Sequence, residues 1–181
     1  MDLRVVNYDT HCYYNSIFRI DRIKDPFVQE VLEYWKKNNW VGTLYCVIDQ
    51  DLVDEEMSNQ IQLADQNVSD LNGQVVSFVL VQTDQPDFWT IRGTWTDPNY
   101  RGRGLSSQLL KLVISDSYIS TDYLWVNITP GAEPLYEKVG FHIYGKRTDC
   151  EPQFPIGVQS IKSLIEEKTQ FINKYKKHVL F

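Results

Sequence analysis

Apolar and polar residues follow two different periods along this chain, and these periods predict both strands and helices. Runs rich in β-branched and aromatic residues predict strands at Leu3–Tyr8, Thr43–Ile48, Val75–Val81, Trp89–Thr96 and Tyr123–Ile128, with a further strand expected at Gln60–Ala64. Apolar residues at the three-and-four spacing predict helices that begin at Pro26 and Leu105 and that cover Pro130–Val139 and Ile161–Tyr175. The order of these elements predicts a mixed α/β fold.

The start of the first helix has a clear local signal. Asp25 is expected to cap it, because a short acidic side chain accepts from the free N–H groups of the first turn, and Pro26 suits the first helical position. One apolar face of this helix is then expected to pack in the core, formed by Phe27, Val28, Val31, Leu32 and Trp35.

The length of 181 residues is enough for one complete hydrophobic core. We interpret residues 1–150 as the domain and 151–181 as a C-terminal helical extension packed on it. The last residues, Val179–Phe181, would reach a partner if the chain dimerised, so monomer and homodimer both stay open. The segment Asp49–Asp70 is acidic and irregular. It is either a solvated surface or a region that attracts a cationic substrate.

Charge and cysteine usage exclude several classes of function. The net charge of −6 argues against binding of nucleic acid or of anionic membranes and favours a cationic substrate. The N-terminal residues lack the apolar core of a signal peptide, and no apolar run is long enough to cross a membrane, so we expect a cytoplasmic protein. Cys12, Cys46 and Cys150 have no paired spacing, so neither a disulfide framework nor a metal site is expected.

The junction between the strand Trp89–Thr96 and the helix that begins at Leu105 carries the main functional signal. Asp97-Pro98-Asn99 ends the strand with turn residues, and Gly102 and Gly104 follow directly before the helix. The N–H groups at a helix start are unpaired and the helix dipole is positive there, so this end favours an anion. Glycines allow the backbone to come close to that anion, which predicts a phosphate site.

Two motifs resemble the signatures of a known family. Arg101-Gly102-Arg103-Gly104-Leu105-Ser106 is similar to the Arg/Gln-x-x-Gly-x-Gly/Ala signature of the GNAT superfamily of acyl-CoA-dependent N-acyltransferases. Ser106 departs from it, since the family usually has Gly or Ala there, and its hydroxyl adds a hydrogen-bond donor. Further along, the residues Leu135–Phe141 resemble the second signature, Leu-Tyr-x-Lys-x-Gly-Phe. Ala132 matches the family's Ala, while Thr129 stands where an Asn is frequent.

The resemblance, which covers Val75–Lys146, implies a fold and a reaction. The fold would be a GNAT-like α/β fold, with a mostly antiparallel central sheet, splayed strands and flanking helices. The reaction would transfer an acetyl group from acetyl-CoA to a primary amine, carried by a small molecule or a protein. The residues that the resemblance places at the cofactor are Thr94, Trp95, Thr96, Arg101, Gly102, Arg103, Gly104, Leu105, Ser106 and Thr129. A backbone N–H near Trp95 would polarise the thioester carbonyl, and Tyr136 would protonate the leaving thiolate.

The residue that accepts the proton of the amine is not identified by the sequence. Many members of the family have a Glu in the strand that corresponds to Phe88–Thr96, and this strand has none. Three alternatives therefore stay open: the proton leaves through water, a carboxylate of Asp49–Asp70 accepts it, or the protein binds coenzyme A without catalysis, as a regulatory or interaction module.

Overall fold

The computed structural model describes residues 3–9, 20–49, 51–52, 73–85, 87–117, 120–147, 155–160 and 179–180. The strands are β1 Leu3–Asp9, β2 Gly42–Asp49, β3 Gln74–Gln82, β4 Phe88–Thr96, β5 Tyr123–Asn127, β6 His142–Arg147, β7 Pro155–Ser160 and β8 Val179–Leu180. The helices are α1 Pro26–Lys37, α2 Leu105–Ser117 and α3 Glu133–Lys138. A short 3₁₀ turn covers Pro98–Tyr100.

The chain divides into two compact units, and the boundaries between them fall within β3, β4 and α2. The first unit contains Met1–Leu80 and Gly93–Leu109, and the second contains Val81–Arg92 and Leu110–Phe181. In the first unit the strand order is β1-β2-β3-β4, and β1 runs antiparallel to β2 with Leu3 opposite Asp49. In the second unit the order is β4-β5-β7-β6-β8.

Of the described pairings that join β4, β5, β7, β6 and β8, one is parallel and three are antiparallel. Strand β4 is parallel to β5, with Phe88 opposite Tyr123 and Ile91 opposite Val126, whereas β7 is antiparallel to β5 and β6. The parallel pairing extends to Ile91, and β4 itself continues to Thr96. The mixed α/β class and the mostly antiparallel sheet are thus confirmed.

Helix α1 forms as its sequence predicts. The carboxylate of Asp25 accepts from the N–H of Phe27 at 2.9 Å, and Pro26 is the first helical residue. Its buried residues pack in one core cluster with residues of β2, β3 and β4. These helix residues are Val28, Val31, Leu32 and Trp35. Phe27 departs from the predicted apolar face, since 38% of it is exposed.

Gly93 lets α1 lie close to β4 in the first unit. A Cβ atom there would meet Val31 Cγ1 at 3.0 Å and Phe78 Cε2 at 3.4 Å. Full burial of a side chain such as Phe78 stabilises the fold by roughly 1.5–3 kcal/mol. A larger residue at position 93 would disturb that packing, because cores tolerate added volume poorly.

Three described elements of the second unit differ from the sequence pattern. The helix predicted over Pro130–Val139 begins only at Glu133, since Gly131 has a φ of +92° and interrupts the helical backbone before it. Strands β7 and β8 are not predicted, although both lie within the segment interpreted as a helical extension. Val179 and Leu180, which are expected from the sequence to reach a partner if the chain dimerises, instead pair antiparallel with Arg147 and Lys146 of the same chain. The strand Gln60–Ala64 and the helix Ile161–Tyr175 lie outside the described residues. No helix within the described ranges combines the length and apolar character that a membrane crossing requires.

Candidate functional site

The candidate site lies in the first unit, where β4 ends and α2 begins. The N–H of Asp97 donates to the Val76 carbonyl at 2.9 Å, which keeps the end of β4 beside β3. The Asp97 carboxylate then accepts from the N–H of Asn99 at 2.8 Å and caps the 3₁₀ turn. The chain therefore leaves the sheet through a capped turn, as the residues Asp-Pro-Asn predict.

The two glycines have the conformation that the phosphate-loop hypothesis requires. Gly102 and Gly104 both have a φ of +77°, a region that L side chains rarely adopt. A Cβ atom built at either position would meet no atom of the described residues within 4 Å. These glycines are thus required by their backbone conformation, and the space beside them is open.

The start of α2 offers unpaired backbone donors. Its first helical hydrogen bond runs from the N–H of Gln108 to the carbonyl of Gly104 at 3.0 Å. The amides of Leu105, Ser106 and Ser107 precede that bond, so no helical carbonyl accepts from them. Together with the positive end of the helix dipole, such amides favour the binding of a phosphate or another anion.

Both arginines of the loop are exposed and are attached to the loop itself. Arg101 Nε donates to the Thr96 carbonyl at 3.1 Å, at the end of β4. The Arg103 guanidinium lies 4.9 Å from the centre of the Tyr100 ring and donates to the Asn99 carbonyl at 3.3 Å. Each side chain therefore contacts the backbone at or just after the end of β4 and stabilises the fold of the loop.

The buried carboxylate of Asp49 contacts Tyr100, the last residue of the 3₁₀ turn before the glycines. Asp49, at the end of β2, is only 3% exposed. Its Oδ2 accepts from the Tyr100 hydroxyl at 2.7 Å, and its Oδ1 accepts from the N–H of Asp51 at 3.1 Å. The hydrogen bond to Asp49 raises the pKa of the Tyr100 phenol above its ordinary value of 10.0, and burial and the Asp49 charge act in the same direction. Sequence reasoning missed this pair, since no local pattern joins positions 51 residues apart.

Three hydroxyl groups connect the end of β4 with its neighbours. The Oγ of Ser77 donates to the Trp95 carbonyl at 3.0 Å and lies 2.8 Å from Thr96 Oγ1. Thr96 Oγ1 lies in turn 2.6 Å from Ser106 Oγ. Ser106, the residue that departs from the family signature, is thus in hydrogen-bond contact with the strand.

Trp95 is mostly a core residue. It is 7% exposed, and its ring stacks on Phe78 with a centroid distance of 5.9 Å. Its Nε1 is buried and has no hydrogen-bond partner among the described residues. The role predicted for Trp95 uses its backbone N–H, which does not depend on the side chain.

The structure brings together the predicted site residues from Thr94 to Ser106 in the first unit, whereas Thr129 and Tyr136 belong to the second. Thr129 is exposed, and its carbonyl accepts from the N–H of Ala132 at 2.9 Å. Tyr136, on α3, is 5% exposed, and its ring meets Phe141 edge to face at 5.5 Å. Tyr136 is therefore well packed, and its catalytic role stays a prediction.

Comparison with known proteins gives one consistent family. The profile described as "Acetyltransferase (GNAT) domain" matches residues 36–151. No curated protein matches the chain by sequence.

Solved structures share the fold at low sequence identity. A GNAT family acetyltransferase from Staphylococcus aureus has a TM-score of 0.58 and 15% identity, over 89% of this chain and 100% of that one. The ribosomal-protein-S18-alanine N-acetyltransferase from Escherichia coli has a TM-score of 0.57 and 18% identity, over 91% and 97%. A GNAT family acetyltransferase from Elizabethkingia anophelis with acetyl-CoA bound has a TM-score of 0.56 and 14% identity, over 87% and 97%.

Proposed function

Because the chain belongs to the GNAT acetyltransferase family, we propose that it transfers an acetyl group from acetyl-CoA to a primary amine, which attacks the thioester directly. The observation that carries this proposal is the loop between β4 and α2. It combines two glycines at a φ of +77°, open space beside both, and helix amides that have no helical partner. Such a loop suits the pyrophosphate of coenzyme A.

The proposed cofactor contacts follow the chain from β4 into α2. The amides from Gly102 to Ser106 bind the pyrophosphate. The N–H of Arg101, predicted to act with them, already donates to the Pro98 carbonyl at 3.4 Å, and Arg101 and Arg103 contribute their charge. The pantetheine arm pairs with backbone groups of Thr94, Trp95 and Thr96, the part of β4 that follows its parallel pairing with β5. Thr129 donates to the same arm. Backbone pairing leaves the arm extended and in a fixed register, as in an added β-strand.

The chemistry needs one electrophile activator and two proton transfers. The N–H of Trp95 donates to the thioester oxygen and stabilises the negative charge that develops as the nitrogen attacks the carbonyl carbon. When the tetrahedral intermediate collapses, the carbon–sulfur bond breaks and the sulfur leaves as a thiolate. Tyr136 donates its phenol proton to that sulfur, and the transfer is feasible because an unperturbed thiol and an unperturbed phenol have ordinary pKa values of about 8.5 and about 10.

The acceptor must lose a proton before it attacks. A primary amine has a pKa near 10, so it arrives mostly as a cation, which suits a chain with a net charge of −6. β4 carries no carboxylate to receive this proton. Both oxygens of Asp49 already accept hydrogen bonds. The carboxylates at positions 54–70 lie outside the described residues, and we propose the route that needs no further side chain, in which water carries the proton away.

A second candidate is a protein that binds coenzyme A without catalysis, and the lack of a carboxylate on β4 favours it. The two functions are separated by incubating the full chain with acetyl-CoA and a panel of primary amines. The free thiol is measured with a thiol reagent and the acetylated amine by mass spectrometry, with a reaction that lacks amine as the control. Thiol and acetylated amine in equal amounts support the transferase. Calorimetric binding of acetyl-CoA without thiol release would instead identify a binding module.

A further inference from the structure

The three hydroxyls at the end of β4 have a defined direction of hydrogen bonding. Each hydroxyl has one proton and can donate one bond. Ser77 donates its proton to the Trp95 carbonyl at 3.0 Å, because a carbonyl can only accept. The 2.8 Å contact between Ser77 and Thr96 is then donated by Thr96, and the 2.6 Å contact between Thr96 and Ser106 is donated by Ser106.

From this order we infer that Ser106 is a positioning residue, whose hydroxyl fastens the first turn of α2 to the end of β4 and does not donate to a phosphate. The inference rests on the proposed function only in taking coenzyme A as the ligand of the loop; the hydroxyl contacts themselves do not depend on it. The amide of Ser106 keeps its place in the phosphate site. Its hydroxyl proton is used within the protein, so the side chain presents lone pairs to a ligand, and these do not bind an anion.

The reverse direction is less favourable in the folded chain. If Ser106 donated outward, Thr96 would donate to Ser106 and Ser77 to Thr96, so the Trp95 carbonyl would lose its bond from Ser77. Ser77 is 0% exposed, so water cannot replace a bond lost there. The inward order makes all three hydrogen bonds without a ligand.

The chain of hydroxyls also acts on a backbone donor of the proposed cofactor site. The carbonyl of Trp95 and the N–H of Thr96 belong to the same peptide group. A hydrogen bond accepted by the carbonyl polarises that group and strengthens the N–H as a donor. The hydroxyls therefore fix the loop in place and support the backbone with which the pantetheine arm is proposed to pair.

The inference is tested with Ser106→Ala, Thr96→Val and the double variant, with Thr96→Ser as the variant that restores a hydroxyl. We expect each single variant to raise the KM for acetyl-CoA about fivefold, equivalent to about 1 kcal/mol, while kcat changes less than twofold. The double variant should be no worse than Thr96→Val alone, because both changes break one linked unit. Thr96→Ser should recover most of the loss, since it keeps the hydroxyl that Ser106 contacts.

Denaturation midpoints measured without any ligand test independently whether the three hydroxyls act as one linked unit. Ser106→Ala should lower the midpoint of the wild-type chain but not that of Thr96→Val. If wild type shows no binding of acetyl-CoA, the proposed function fails, and these midpoints still decide whether the hydroxyls act together. The inference is overturned if the midpoint losses of the two single variants add in the double variant, or if their effects on KM multiply. It is also overturned if Ser106→Ala raises KM while Thr96→Val leaves KM unchanged. A third contrary result is that neither variant changes KM or the midpoint.

Discussion

Gly104 offers the sharpest test of the phosphate loop, because Gly102 provides a matched control. Both glycines have a φ of +77°, and at both an added Cβ meets no atom within 4 Å in the part of the chain that the structure describes. An alanine therefore causes the same backbone strain at either position, roughly 1–2 kcal/mol, without a clash. For a domain of this size, each kcal/mol lowers the Tm by about 2–4 °C, so both variants should lose about 2–8 °C.

The two variants should differ in binding. In the signature Arg/Gln-x-x-Gly-x-Gly/Ala that the chain resembles, Gly104 stands at the Gly and Gly102 at a variable position, and a methyl group at Gly104 would occupy the space that the pyrophosphate is proposed to approach. Calorimetry with acetyl-CoA should show at least a tenfold weaker Kd for Gly104→Ala than for Gly102→Ala, about 1.4 kcal/mol. Equal Kd values at equal Tm would refute the placement of the pyrophosphate. A much larger Tm loss in one variant would refute the assumption of equal strain.

Three further predictions concern residues outside the glycines. Tyr136→Phe should lower kcat by roughly 10²-fold with unchanged binding of acetyl-CoA, and near-normal turnover would rule out its role as an acid. Tyr100→Phe leaves Oδ2 of the buried Asp49 without its donor and should lower the free energy of unfolding by about 1–3 kcal/mol. Because the pKa of Tyr100 is raised in the folded chain, its stabilising effect is complete below about pH 10 and is lost as the pH rises through the raised pKa. Denaturant titrations should therefore show that the difference in unfolding free energy between wild type and Tyr100→Phe shrinks at higher pH. Asp25→Ala removes the cap bond to Phe27 and should cost about 0.5–2 kcal/mol of unfolding free energy, with acetyl-CoA affinity as a control that stays constant.

Much of the fold follows from local patterns, since those patterns act through neighbouring residues. Asp25 and Pro26 define a helix start by capping and a fixed φ, and both take these positions. Gly102 and Gly104 mark a backbone with positive φ, which is what the structure contains. The strand, loop and helix around them could therefore be predicted from the sequence, whereas the phosphate site stays a prediction.

Strand β7 could not be predicted, because its residues act through close packing. Pro155 and Gly157 are both unfavourable in an ordinary strand. In the second unit, however, a Cβ atom at Gly157 would lie 2.8 Å from Ile128 Cδ1 and 2.9 Å from Val126 Cγ1. The glycine permits this contact with β5 and the residue after it, and only the tertiary structure reveals that need.

The side-chain contacts that position the loop could not be predicted from the sequence either. The bond between Asp49 and Tyr100 and the hydroxyls of Ser77, Thr96 and Ser106 join residues that are distant along the chain. Serine and threonine occur on most protein surfaces, and their alignment depends on strand pairing and on the position of α2. The sequence therefore identified the loop but not the side chains that position it.

The central claim is that the loop between β4 and α2 binds the pyrophosphate of acetyl-CoA, and a crystal structure of the complex tests it most directly. The account predicts pyrophosphate oxygens within hydrogen-bond distance of the amides from Gly102 to Ser106, beside Gly104, with the Ser106 hydroxyl still bonded to Thr96. A complex in which the pyrophosphate lies elsewhere, with these amides bound to water, would contradict it.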